Sequence, residues 1–131
     1  MRAGWRLAAV AAVLGAVTVA LGAFGAHGLE GTVTPARLET WRTGASYGLA
    51  HALAAALAGV WAGLRPSATA LWAGRLLLVG AAVFSGSLYA LVLLDLPVLG
   101  AVAPIGGVAM IGGWGALAVA AWREARAASG P

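Results

Sequence analysis

Four apolar segments, each about as long as a bilayer is thick, leave this 131-residue chain few ways to fold. They run over residues 7–26, 44–64, 71–94 and 98–122. A helix rises ~1.5 Å per residue, so ~20 apolar residues cross a hydrocarbon core ~30 Å thick. Barrel strands need alternating polarity, and no segment alternates. Composition points the same way: 62% of residues are hydrophobic and 9% charged, against about 45–50% and about 25% in soluble domains. Mean hydropathy is +0.93. The sequence predicts an all-α integral membrane protein, a single membrane domain over residues 1–131 built as a four-transmembrane-helix bundle, with the lipid bilayer as its first partner.

Arginine placement gives an orientation. Arg2 and Arg6 precede the first span, Arg65 and Arg75 flank the second turn, and Arg123 and Arg126 follow the fourth span, against Arg37 and Arg42 on the other side. The positive-inside rule then puts both termini in the cytoplasm. Trp5, Trp61, Trp72 and Trp122 fall at the same boundary, where an interfacial aromatic belt belongs. The arginines stand singly between apolar runs, so the formal charge of +4 does not suggest nucleic-acid binding. The first span has the outline of a signal peptide, but Ala23–Ala26 makes a poor cleavage site, and an uncleaved helix is expected.

The outer loop, residues 28–43, is the one long connection and is expected to be partly helical. Thr34 followed by Pro35 reads as a cap and a first-turn proline. Leu38, Trp41 and Ala45 share a face there that could rest on the membrane surface. "LRPSAT" is a tight inner turn with Ser67 or Thr69 as cap, and "DLPVLG" a tight outer one. The tail "EARAASGP" reads as a frayed helix end followed by disorder. In span four, Pro104 predicts either a kink near the helix start or an opened carbonyl facing a polar cavity. Small residues recur at four-residue spacing, and Gly22, Gly48, Gly86 and Gly107 are expected at helix-packing seams, where glycine lets backbones approach.

Cysteine is absent, which removes disulfides and thiolate chemistry. With alternating span direction, the polar residues of the spans gather toward the outer half: Tyr47, His51, Ser85, Ser87 and Tyr89, with His27 at the rim and Pro104 entering beside them. Ionisable groups within a membrane are costly and raise a functional question. His51 has three readings: a hydrogen-bonding link between helices, a group that handles a proton or ligand, or, least favoured, a metal or haem ligand. His27 reads more simply as a capping donor at a helix end. Two histidines with distant carboxylates make a weak case for a metal site, which needs four ligands when closed, and no catalytic set can be assembled. No metal, no cofactor and no enzymatic activity are expected.

The stretches "ALGAFGAHGL", "LETWRTGASYGLAHALA", "FSGSLY" and "APIGGVAMIGGW" fall in order along the chain. Together they resemble the domain of unknown function 423 family, small bacterial inner-membrane proteins with mitochondrial relatives. The resemblance spans about Leu7 to Trp122, implies four membrane helices in a bacterial inner (plasma) membrane, and implies no established activity. The motif positions include Gly25, His27, Gly28, Tyr47, His51, Ser85, Gly86, Ser87, Tyr89, Pro104, Gly106, Gly107 and Trp114. The functional expectation is a non-enzymatic accessory or assembly partner of a larger membrane complex, paired with a membrane protein or with its own copies. The alternative is a small transporter or carrier whose outward-facing polar cavity binds a solute, proton or lipid-like ligand.

Overall fold

The computed structural model describes residues 1–129, and helices account for most of them. Helix α1 spans Arg2–Phe24 and continues through a π-helical turn, Gly25–Leu29. Helix α2 spans Pro35–Leu64, α3 Ala68–Leu94 and α4 Ala103–Ala128, the last preceded by a 3-10 turn at Pro97–Ala101. All four are long and apolar enough to cross a membrane. The tail is helical to Ala128; its expected disorder at Gly130 and Pro131 lies outside the described residues.

The helix starts follow from local chemistry. Thr34 accepts a hydrogen bond from the Arg37 amide at 3.3 Å, and Pro35 follows in the first turn, where its missing N–H has no partner to lose. Ser67 accepts from the Ala70 amide at 3.2 Å and so is the cap of α3. Helix α3 stops at Asp95, which takes the left-handed conformation (φ 51°) that aspartate tolerates better than most residues. Pro104 lies in the first turn of α4, so the proline neither kinks the helix interior nor opens a carbonyl into a cavity.

Connections this short make sequential helices antiparallel neighbours. Helices α2 and α3 pack against each other at the centre, α1 against α2, and α4 against α3. Between α1 and α4 there is no helix interface among the described residues. One end of the bundle, the terminal end, carries both termini and the 65–67 turn; the other, the loop end, carries residues 30–34 and 95–102.

The core is built from alanine more than from bulky side chains. Ala11, Ala54, Ala55, Ala58 and Ala73 surround Leu77 and Leu117 at mid-height. Cores this thin require close helix approach, and glycine supplies it. A Cβ on Gly59 would come 2.6 Å from the Ala8 amide nitrogen of α1, and one on Gly80 would come 2.8 Å from the Gly106 carbonyl oxygen of α4. One of the four expected seam glycines behaves this way: a Cβ on Gly48 would come 2.9 Å from the Ser85 hydroxyl, whereas one on Gly22 would make only ordinary contact with Ala45 at 3.7 Å. Gly86 and Gly107 do not, because a Cβ on either meets nothing within 4 Å. Four-residue spacing locates a stripe of small residues but leaves open which stripe faces a neighbour, and here Gly80 and Gly106 form the α3–α4 seam.

The outside is aliphatic. Val10, Val13, Val17, Leu53, Leu57, Val79, Val108 and Ile111 are all exposed, a surface suited to acyl chains and unsuited to water. Charges sit at the two ends: Arg37 donates to Asp95 at 2.7 Å at the loop end, and Arg65 pairs with Glu124 at the terminal end. Each pair has a well-exposed partner, Asp95 in one and Arg65 in the other, and contributes little to stability.

Candidate functional site

His51 is buried on α2, and both its ring nitrogens are occupied. Nδ1 lies 2.7 Å from the Tyr47 carbonyl oxygen, which can only accept, so Nδ1 carries the hydrogen. Nε2 accepts from the indole N–H of Trp114 on α4 at 3.1 Å. An indole can only donate, so these two partners select the neutral tautomer with hydrogen on Nδ1. The link crosses a groove: α2 and α4 both pack on α3, and this bond joins them above it.

That groove holds a cavity of about 320 Å³ lined by Tyr47, His51, Phe84, Gly107, Met110, Ile111 and Trp114. The Tyr47 ring lies parallel to His51 (centroids 5.7 Å apart, 6° between planes) and tilts onto Phe84 at 4.9 Å. Gly107 has its role here, as cavity wall, because a side chain at that position would narrow the space. A metal ion seeking His51 would have to displace Trp114 from Nε2. Among the described residues, no group of three or more histidines, cysteines, aspartates or glutamates is placed to hold a metal.

The other polar residues expected in one cavity belong to separate places. Ser85 donates to the Gly44 carbonyl oxygen at 2.7 Å, tying α3 to α2. Thr18 of α1 donates to its own Leu14 carbonyl oxygen at 2.8 Å, and a Cβ on Gly48 would touch both hydroxyl oxygens. Gly48 thus marks the point where three helices meet around two hydroxyls. Ser87 turns back onto the Phe84 carbonyl oxygen at 2.8 Å. His27 is exposed on the π turn, and its ring makes no hydrogen bond among the described residues, so neither a cap nor a rim of the His51 cavity is formed. Pro104 is exposed and does not line the cavity either.

Tyr89 packs in a third place, against Trp41 with centroids 4.5 Å apart, and its phenolic oxygen is buried without a partner among the described residues. Trp41 is 1% exposed and donates its indole N–H to the Leu21 carbonyl oxygen of α1 at 2.7 Å. Gly25 makes this possible, since a Cβ there would overlap the Trp41 ring. Leu38 joins Trp41 in a cluster with Leu29, Leu91 and Val92. The face of α2 read as resting on the membrane surface is therefore packed inward, against α3 and the π turn.

Trp41 and Trp114 organise this region, and neither was singled out from the sequence as a site residue. A signal did exist. Of six tryptophans, four fall at one predicted interface, and the remaining two are those whose indole N–H reaches an acceptor on another helix.

Comparison with known proteins agrees with this picture of a small membrane bundle. Residues 21–107 match the sequence model of a family described as "Protein of unknown function (DUF423)". A UPF0382 membrane protein of Staphylococcus aureus (strain bovine RF122 / ET3-1) is 44% identical over 117 residues, covering 86% of this chain and 95% of its own length. The UPF0382 membrane protein YwdK of Bacillus subtilis is also 44% identical over 117 residues, covering 83% of this chain and 93% of its own length. A Staphylococcus haemolyticus relative, likewise named a UPF0382 membrane protein, is 43% identical over 106 residues, covering 78% and 86% respectively. No solved structure matches the chain.

Proposed function

This chain belongs to the DUF423 family, and from that membership we propose that it is a non-enzymatic accessory or assembly partner of a larger membrane complex. It is a small multi-pass membrane protein. The observation that carries the proposal is that, apart from the Tyr89 hydroxyl, the buried polar side chains are engaged inside the bundle. His51, Ser85, Ser87 and Thr18 each bond within the chain, which makes them fasteners between or along helices and leaves the helix exterior as the working surface. On α4, Val108, Ile111, Gly112, Gly115 and Val119 are exposed along one side. A Cβ on Gly115 meets nothing within 4 Å, so another helix can approach closely there. In mild detergent the wild-type protein is expected to run as an assembly larger than one chain, and Gly115→Leu to shift it toward the monomer. A wild-type protein that is monomeric and free of any stable companion overturns the proposal.

Both termini face the cytoplasm in this reading, within the bacterial plasma membrane. The terminal end supports it with Arg2, Arg6, Arg65, Arg75, Arg123 and Arg126, against Arg37 and Arg42 at the loop end. The chain has no cysteine, so single replacements report topology cleanly. Glu30→Cys should react with an impermeant maleimide on intact cells, and Ala125→Cys only after lysis. The reverse pattern inverts the protein.

The His51 cavity favours a second reading, a carrier for a proton or small solute. Proteoliposomes with a trapped pH dye would then report a proton flux that His51→Ala abolishes. A flux that His51→Ala leaves unchanged removes the carrier reading and leaves the histidine as a fastener.

A further inference from the structure

Helices α1 and α3 run in the same direction, both packed on α2 and only slightly on each other, and a cleft remains between them. At the terminal end it opens into a cavity of about 510 Å³ lined by Arg2, Arg6 and Arg75 with Leu7, Val10 and Leu78. From there it continues as a cavity of about 400 Å³ whose walls are Val10, Val13 and Val17 of α1 and Leu78, Val79 and Ala82 of α3. Val10 and Leu78 line both, so the two spaces adjoin as one open channel along the helix surface, with a charged mouth and an aliphatic length.

The sequence builds this division on two helices at once. Along α1, residues 2, 6, 10, 13 and 17 follow helical spacing and read Arg, Arg, Val, Val, Val. Along α3, residues 75, 78, 79 and 82 read Arg, Leu, Val, Ala. None of the three arginines has a carboxylate partner: the ion pairs among the described residues use Arg37, Arg42 and Arg65. The Arg75 guanidinium lies 4.9 Å from the Trp72 ring centroid, an arrangement that holds the charge at the rim while leaving its edge for an acceptor. Three unpaired cations around one cavity leave a charge that an anion would balance. Guanidinium donors match phosphate oxygens in fork geometry.

We propose that this channel is a binding site for one anionic phospholipid, its phosphate among Arg2, Arg6 and Arg75 and one acyl chain along the α1–α3 cleft. The dimensions suit a chain belonging to a single leaflet. From Arg6 to Val17 the helix rises ~16 Å, about half of a ~30 Å hydrocarbon core. A free phosphate would use the mouth and ignore the channel, and a neutral lipid would use the channel and leave the arginines unpaired. An anionic phospholipid uses both.

The test is lipid retention by the full chain, extracted from vesicles of equal parts phosphatidylglycerol and phosphatidylcholine and read by native mass spectrometry. Wild-type protein is expected to keep phosphatidylglycerol in preference to phosphatidylcholine. Each basic residue near an anionic surface contributes roughly fivefold in affinity, so Arg2→Gln/Arg6→Gln/Arg75→Gln should reduce that preference by tenfold or more. Arg123→Gln/Arg126→Gln removes two charges from the same end away from the cleft and should leave the preference intact. Ala82→Phe fills the aliphatic length and should reduce phosphatidylglycerol retention with the arginines in place. Arg75→Gln alone, expected to weaken retention severalfold, carries the test if the triple variant loses its helical circular dichroism. The proposal is overturned if the triple variant keeps its preference, or if the Arg123/Arg126 variant loses as much. It is equally overturned if inorganic phosphate displaces the lipid as well from Ala82→Phe as from wild type, because the site would then be an anion site without a tail.

Discussion

A single methyl group on Gly106 should push α4 away from α3, and the same methyl on Gly107 should do nothing of the kind. The Gly106 Cβ would lie 2.5 Å from the Phe84 amide nitrogen and 2.6 Å from the Gly80 carbonyl oxygen, both backbone atoms of α3. Backbone has no rotamer to yield, so the helices must separate. Overpacking of this kind costs typically 1–3 kcal/mol. Alanine's better helix propensity offsets at most about 1 kcal/mol. The expectation for Gly106→Ala is a net loss of about 1–2 kcal/mol and for Gly106→Leu a larger one, measured as earlier unfolding in a denaturing-detergent titration. At Gly107 a Cβ meets nothing within 4 Å, so Gly107→Ala should be neutral or slightly stabilising. If the two alanine variants unfold alike, the α3–α4 seam is misassigned.

Trp41 carries the second large effect. Its ring is buried against Tyr89 (4.5 Å between centroids) and Phe24 (5.7 Å), and its N–H reaches Leu21 across to α1. Trp41→Ala removes the packing of three elements at once, and such truncations cost about 3–5 kcal/mol in soluble cores. Trp41→Phe keeps part of the ring and loses the hydrogen bond. Because Leu21 also accepts from the Gly25 amide, the loss there should be smaller, about 1 kcal/mol. Gly25→Ala should destabilise by forcing the indole aside, and much less so in a Trp41→Ala background, where nothing remains to collide with. Circular dichroism during thermal unfolding would follow the four proteins. Strict additivity between Gly25→Ala and Trp41→Ala would separate the two residues and refute the contact.

The four apolar helices were legible in the sequence because lipid imposes a length and a polarity that composition cannot disguise. The caps at Thr34 and Ser67 were legible as well, since capping is a property of neighbours in sequence. What escaped depends on which face of a helix meets which other helix. Glycine is frequent enough in this chain that several stripes qualify, and only the crossing geometry selects Gly80 and Gly106 over Gly86 and Gly107. The polar residues illustrate the same limit. Similar depth in alternating spans suggested one gathering of His27, His51, Ser85 and Tyr89, yet depth says nothing about angle around a helix axis. The structure puts His51 in the α2–α4 groove, Ser85 at the meeting of α1, α2 and α3, Tyr89 in the Trp41 cluster, and leaves His27 exposed on the π turn. The π turn at Gly25–Leu29 is a further case: widening a helix by one residue changes every facing beyond it and leaves hydropathy unaltered.

The sequential packing of α1 on α2, α2 on α3 and α3 on α4 bears on how the protein is made. Each segment leaving the ribosome finds its main partner in the one inserted just before it, so assembly proceeds through nearby contacts of the kind that form fastest. The His51–Trp114 bond reaches across 63 residues and the Arg65–Glu124 pair across 59, both from α2 or its C-cap to α4. Both can close only once α4 has been inserted, so they report the docking of α4 across α3 onto α2.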